Sequence, residues 1–200
     1  MGDWIRELIE DSGYLGVGLL MLLETVFPPV PSEIIMSLAG LQAARGTMTL
    51  WGAILAGSTG AMIGNMLWYA FARWLGYERF HPLIDRYGRW LTVDWAEVKR
   101  ADAFFDRHDR WFVFLGRMVP TIRSLVSVPA GLFEMPWKAF LFWSALGTFG
   151  WTAGLAGAGF ILGSRFEEVD RYLGPASTGV LAGMIFYYLY RVITWKPRSN

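Results

Sequence analysis

Two stretches of this chain are apolar enough to enter a bilayer, yet each is broken in mid-course by prolines and charges. The first, about 14–41, contains LETVFPPVPSEII, which sets Glu24 and Glu33 around Pro28, Pro29 and Pro31 and resumes through Ile34 and Ile35 to Gly40. The second, about 111–133, reads WFVFLGRMVPTIRSLVSVPAGLF and carries Arg117 and Arg123 around Pro120, then Pro129 and Gly131. Proline removes a backbone donor and stops a helix. Non-helical backbone at membrane depth survives only where it is buried in protein or lines a watery cavity. The pattern therefore predicts two re-entrant helical hairpins in preference to kinked spans. Pro28, Pro29, Pro31, Pro120 and Pro129 break the helices, while Gly40 and Gly131 lie where a half-helix resumes or packs closely.

The rest of the chain agrees with a membrane fold. A spanning helix needs about 20 apolar residues, and three segments reach that length: about 50–73, 138–162 and 175–195. Hydrophobic residues make up 54% of the 200, and the mean hydropathy is +0.34, too apolar for a soluble domain. The formal net charge of +1 argues against nucleic-acid binding. The chain has no cysteine, which excludes disulfides and thiolate metal sites. Residues 1–13 are acidic and amphipathic, with Trp4, Ile5, Leu8 and Ile9 on one side. They lack the basic start and cleavage site of a signal peptide and are expected to form an interfacial helix. Residues 74–110 are charged, with Trp95, Val98, Ala101 and Phe105 at helical spacing, and read as an amphipathic linker. The whole is expected to be a single all-α membrane domain.

The chain also echoes itself. Displaced by 91 positions, Pro29 falls on Pro120, and AGL at 39–41 on AGL at 130–132. Displaced by 87, Gly60 meets Gly147, and Leu75-Gly76 meets Leu162-Gly163. A hairpin followed by one span crosses the membrane once, so two such units would be inverted repeats. Lys and Arg concentrate in the 73–110 segment and beyond Tyr190, whereas acids crowd the other loops. The positive-inside rule puts the linker and C-terminus in the cytoplasm.

Ionisable side chains inside a bilayer cost on the order of 2.5–3.5 kcal/mol each at the midplane. If the hairpin tips meet there, Glu24, Glu33, Arg117 and Arg123 share one polar cavity. They could simply staple the tips, since buried charges persist mainly when paired. Alternatively, the arginines bind an anionic head group while a glutamate gates or couples to protons. Arg suits phosphate because its planar fork offers parallel donors and keeps its charge when buried. The glycines at 57, 60, 64, 147, 150, 154 and 157 form small-residue stripes suited to helix packing. Asn65 reads as a packing hydrogen bond.

The run ETVFPPVPSE from Glu24 to Glu33 resembles one signature of the DedA family, also called the VTT or SNARE-associated family. FLGRMVPTIR from Phe114 to Arg123, followed by PAG at 129–131, resembles its partner motif. The resemblance covers nearly the whole chain. It implies two facing re-entrant hairpins and a lipid-translocating activity, with required acids and arginines at Glu24, Glu33, Arg117 and Arg123. For a bacterial member it implies return of undecaprenyl phosphate across the inner membrane, with dependence on proton-motive force. Phosphatidylethanolamine or phospholipid translocation is the alternative within the family. Two positions depart from the pattern: Asn65 stands where many members carry Asp, and Asp109 follows His108 where the family has Gly.

Functions of other classes compete on the residues alone. Buried carboxylates would serve a proton-coupled small-ion or drug antiporter, although a cation pathway should not contain two arginines. A lipid phosphatase would want a histidine or a metal cluster, and His81 and His108 both lie in the linker. The expectation is a transporter that is not an enzyme and has no cofactor and no metal. Its partners would be a bilayer lipid and protons.

Overall fold

Long apolar runs without water to satisfy their backbone must close their hydrogen bonds within the segment, and the helix does this. The computed structural model describes residues 2–27, 32–91, 95–120, 122–162 and 190–193, and all regular structure among them is helical. The elements are α1 (Gly2–Val26), α2 (Ser32–Ala44), α3 (Leu50–Leu91), α4 (Trp95–Arg117), α5 (Ser127–Leu132) and α6 (Trp137–Leu162). Pro28, Pro29 and Pro31 fall outside the described residues. So does the expected span at 175–195, apart from 190–193, which are helical.

Three helices are interrupted. α1 turns at Gly13 (φ 54°) and α3 at Gly76 (φ 68°), both left-handed conformations that glycine adopts without penalty. α4 breaks at His108, with φ −134° and ψ 15°. Among the described residues, two helices are long and apolar enough to cross a membrane, Leu50–Gly76 and Trp137–Leu162. The first carries exposed Trp51 and Trp74 near its two ends. Those residues are about 34 Å apart at ~1.5 Å per residue, close to the bilayer hydrocarbon thickness at whose edges Trp collects. Leu55, Leu67, Phe71, Phe142, Leu146 and Ile161 are likewise exposed on the outer faces of these helices.

The packing is crossed. α3 receives α1 and α5, whereas α6 receives α2 and α4, and α3 and α6 also touch each other. Glycine makes these contacts close. A Cβ at Gly60 would overlap the carbonyl oxygen of Gly18, and one at Gly159 that of Ser37. Among the described residues, Gly154 and Gly157 meet nothing within 4 Å, and the close contacts of α6 run through Gly147 and Gly159.

Two apolar cores result. One joins Ile5, Ile9, Val17 and Met21 of α1 to Ile35, Met36 and Leu41 of α2, with Ala61 of α3 and Ala156 of α6. The start of α1 therefore puts Ile5 and Ile9 into protein rather than lipid. The other core joins Tyr69, Phe105, Val113, Val126, Ala130, Met135 and Phe140. On α3 the buried row Ala61, Asn65, Tyr69 passes from one core to the other through a polar residue. On α6 the row Phe140, Ser144, Thr148, Thr152, Ala156 does the same. The polar layer thus lies midway along both spanning helices.

Candidate functional site

The two broken segments meet at that layer. α1 ends with Glu24 and Thr25 just before the first break, and Arg123 lies in the turn region between α4 and α5. Arg123 and Glu24 form an ion pair, and both side chains are 9% exposed. Thr25 supports this corner: its Oγ1–H reaches the Met21 carbonyl at 2.8 Å and Glu24 Oε2 at 3.4 Å. The Trp68 indole N–H donates to the Thr25 carbonyl at 3.1 Å and anchors the end of α1 to α3.

Arg117, at the end of α4, is 2% exposed and is the largest fully buried side chain. Its Nη1 donates to Asn65 Oδ1 at 2.8 Å and to the Arg123 carbonyl. Its Nη2 donates to Ser127 Oγ at 2.8 Å and Ser144 Oγ at 3.1 Å. Gly147 makes room for it, since a Cβ there would stand 2.6 Å from Arg117 Cβ. Each of these acceptors is a neutral oxygen. Among the described residues no carboxylate pairs with Arg117, so its charge is distributed over dipoles and left uncancelled.

Thr25, Asn65, Arg117, Arg123, Ser124, Thr148 and Trp151 line a cavity of about 10 Å³ between these groups. That is room for roughly one water molecule. Glu33 is half-buried and does not line the cavity. Ser32 Oγ reaches it only at 3.5 Å. Of the four charged residues singled out from sequence, the structure pairs Glu24 with Arg123 and sets Arg123 beside Arg117; the two arginines line the cavity and neither glutamate does.

The structural residues distribute similarly. Gly40 sits inside α2 and Gly131 inside α5, where a Cβ would overlap the Ala156 and Tyr69 carbonyl oxygens respectively. Pro120 is exposed in the turn after α4, and Pro129 lies within α5. Asn65, Ser127, Ser144, Thr148 and Trp151 were not read as site residues. Their signal was present for Asn65, Ser144 and Thr148: polar residues at i, i+4 spacing from buried apolar ones at the centre of a span. Among the described residues no group of three potential metal ligands occurs.

The chain matches the VTT domain over residues 30–161. It is 35% identical to undecaprenyl phosphate transporter A of Staphylococcus aureus, with 98% of this chain and 96% of that protein covered. It is 28% identical to the protein of the same name from Bacillus subtilis, with 96% of each chain covered. An alkaline phosphatase-like protein of Lactococcus lactis subsp. cremoris is 33% identical over 93% of this chain and 88% of its own length. No solved structure matches. The breadth of the domain match and the near full-length relatives make this chain a membrane protein of the VTT-domain, or DedA, family.

Proposed function

We propose that the protein carries an isoprenoid lipid phosphate of the undecaprenyl phosphate kind across the bacterial cytoplasmic membrane. The observation that carries this reading is the mid-span cluster, in which Arg117 has only neutral acceptors and Arg123 is held by Glu24. One buried positive charge is uncompensated and a second is available once Glu24 lets go. A phosphate monoester would satisfy both forks. The two relatives named for undecaprenyl phosphate transport support the choice of lipid.

The cavity of about 10 Å³ is smaller than a phosphate group, so binding requires the hairpin tips to part. Glu24 is the gate in this scheme. Protonating it, or displacing it with phosphate, frees Arg123, and Glu33 beside it supplies a second carboxylate for the same proton traffic. The polyprenyl tail stays in the bilayer while the head group crosses the polar layer.

The hairpins are re-entrant and inverted in this reading. The limb from Tyr14 to Val26 and the whole of α2 are each about 20 Å long, short of the ~30 Å hydrocarbon layer. The crossed packing supports the repeat: α1 bears on α3 as α4 bears on α6, and α2 on α6 as α5 on α3. Gly40 against Ala156 and Gly131 against Tyr69 are equivalent contacts, related by displacements of 91 in the hairpins and 87 in the spans.

Proteoliposomes containing undecaprenyl phosphate or phosphatidylethanolamine, each with wild type and a folded Arg123→Ala variant, test the reading. Transport of undecaprenyl phosphate, lost in the variant and stimulated by a proton gradient, is expected. Transport of phosphatidylethanolamine alone would move the substrate to phospholipids. Transport of neither would return the charged cluster to a staple. Release of inorganic phosphate would replace transport by the hydrolysis that the Lactococcus relative's name suggests.

A further inference from the structure

Nearly every polar group of the buried cluster has a partner, which makes the exceptions informative. Among the described residues, Arg117 Nε and Trp151 Nε1 are shut off from solvent and have no hydrogen-bond acceptor; Arg123 Nη2, the third such atom, is held in the ion pair with Glu24. Arg117 and Trp151 line the same cavity. An unmade hydrogen bond from a buried N–H is costly, and two on one small space call for a common cause. Trp151 is also oddly placed. Trp normally collects at the membrane interfaces, as Trp51 and Trp74 do, but Trp151 sits in the middle of α6 beside Gly147 and Thr148.

We infer that Trp151 is a head-group ligand: its indole N–H and Arg117 Nε–H are donors reserved for the oxygens of a lipid phosphate monoester. The inference rests on the lipid-phosphate reading above and adds to it a residue and a basis for selectivity. Indole N–H donates and cannot accept. It therefore rewards a phosphate oxygen and offers nothing to the ammonium of a zwitterionic head group, which Arg117 and Arg123 would also repel. Arg117 spends its two Nη groups on the protein and leaves Nε without an acceptor, so phosphate need not break the cage that holds the guanidinium. Thr148 and Ser124 hydroxyls complete a donor wall in which Trp151 supplies the flat, apolar side.

The test is binding of farnesyl phosphate and of farnesol to the full chain in nanodiscs, for wild type and Trp151→Phe, with thermal unfolding as the folding control. Phe keeps an aromatic ring and removes the donor. The expected result is a loss of about tenfold in affinity for farnesyl phosphate, the scale of one hydrogen bond to a charged acceptor, with farnesol binding unchanged. Unchanged farnesyl phosphate binding, or equal losses for both ligands, would overturn the role of Trp151 while leaving the phosphate site standing. A wild type that does not distinguish farnesyl phosphate from farnesol would overturn the phosphate reading itself. Displacement of farnesyl phosphate by equimolar inorganic phosphate would reassign the donors to the free ion and overturn the lipid assignment. Should Trp151→Phe fail to fold, benzothienylalanine at position 151 keeps the bicyclic shape without the N–H and gives the same readout.

Discussion

The buried arginines do different work although they are six positions apart. Arg123 answers a carboxylate across the hairpin tips, and Arg117 is held by an amide, two hydroxyls and a carbonyl. Removing one partner of a buried pair strands the other charge and costs about 3–5 kcal/mol. Glu24→Ala and Arg123→Ala are each expected to lower thermal stability by that order, and the double variant by less than their sum. Additive losses in unfolding experiments would mean that the pair is not coupled. At Asn65 the expected order of stability is Asp, then Asn, then Ala. Asp would give Arg117 a charge-assisted partner, and Ala would leave an Nη1 donor short by about 1–3 kcal/mol. Equal unfolding temperatures for Ala and Asn would remove Asn65 from the cage. The charged residues were legible in the sequence because ionisable groups in apolar segments are costly enough to need a reason. Their pairing was not, because it depends on which tip residues face each other. The glutamates show the limit: Glu24 is ion-paired with Arg123, whereas Glu33, nine positions on, is met by Ser32 Oγ at 3.5 Å, and neither lines the cavity.

Helices in lipid gain little from apolar burial against one another, so close backbone approach carries more of the packing. Gly40 and Gly131 each seat a hairpin helix on the opposite span, with no space for a methyl group. Gly40→Ala and Gly131→Ala should each destabilise by roughly 1–3 kcal/mol through overpacking. Gly154→Ala, which meets nothing within 4 Å among the described residues, should be neutral or gain by up to about 1 kcal/mol from helix propensity. Equal effects at all three positions, measured by thermal unfolding in detergent, would sink the close-contact argument. At this scale hydropathy located both apolar spans, since length and composition suffice for that. Spacing alone named a face of α6 and not what covers each of its glycines: Gly147 and Gly150 meet Arg117 and Met118. Gly154 and Gly157 share the spacing without the contact, while Gly159 contacts Ser37 without belonging to the stripe.

As a whole, the molecule suspends its polar layer between two apolar cores, one built on α1 and α2 and the other on α4 and α5. Across that layer the tip at the end of α1 meets the tip between α4 and α5 through polar groups, the Glu24–Arg123 ion pair first among them. Thr25 follows the ion-paired Glu24 on the first tip, and Ser124 follows Arg123 on the second; both line the central cavity. Head-group passage through a space of about 10 Å³ requires these tips to separate. Joining them should therefore stop transport without unfolding the protein. The chain has no native cysteine, so a Thr25→Cys/Ser124→Cys double variant reports only on the introduced pair. Linked by a short bifunctional reagent in proteoliposomes, it is expected to lose undecaprenyl phosphate transport by tenfold or more. Cleaving the reagent should return transport to the level of the untreated double variant, and neither single variant should show such a reagent-dependent, reversible loss. Full transport by the linked protein would mean that lipid crosses elsewhere, along an outer face of the spans. The buried charges would then serve to hold the hairpins together rather than to pass a head group between them.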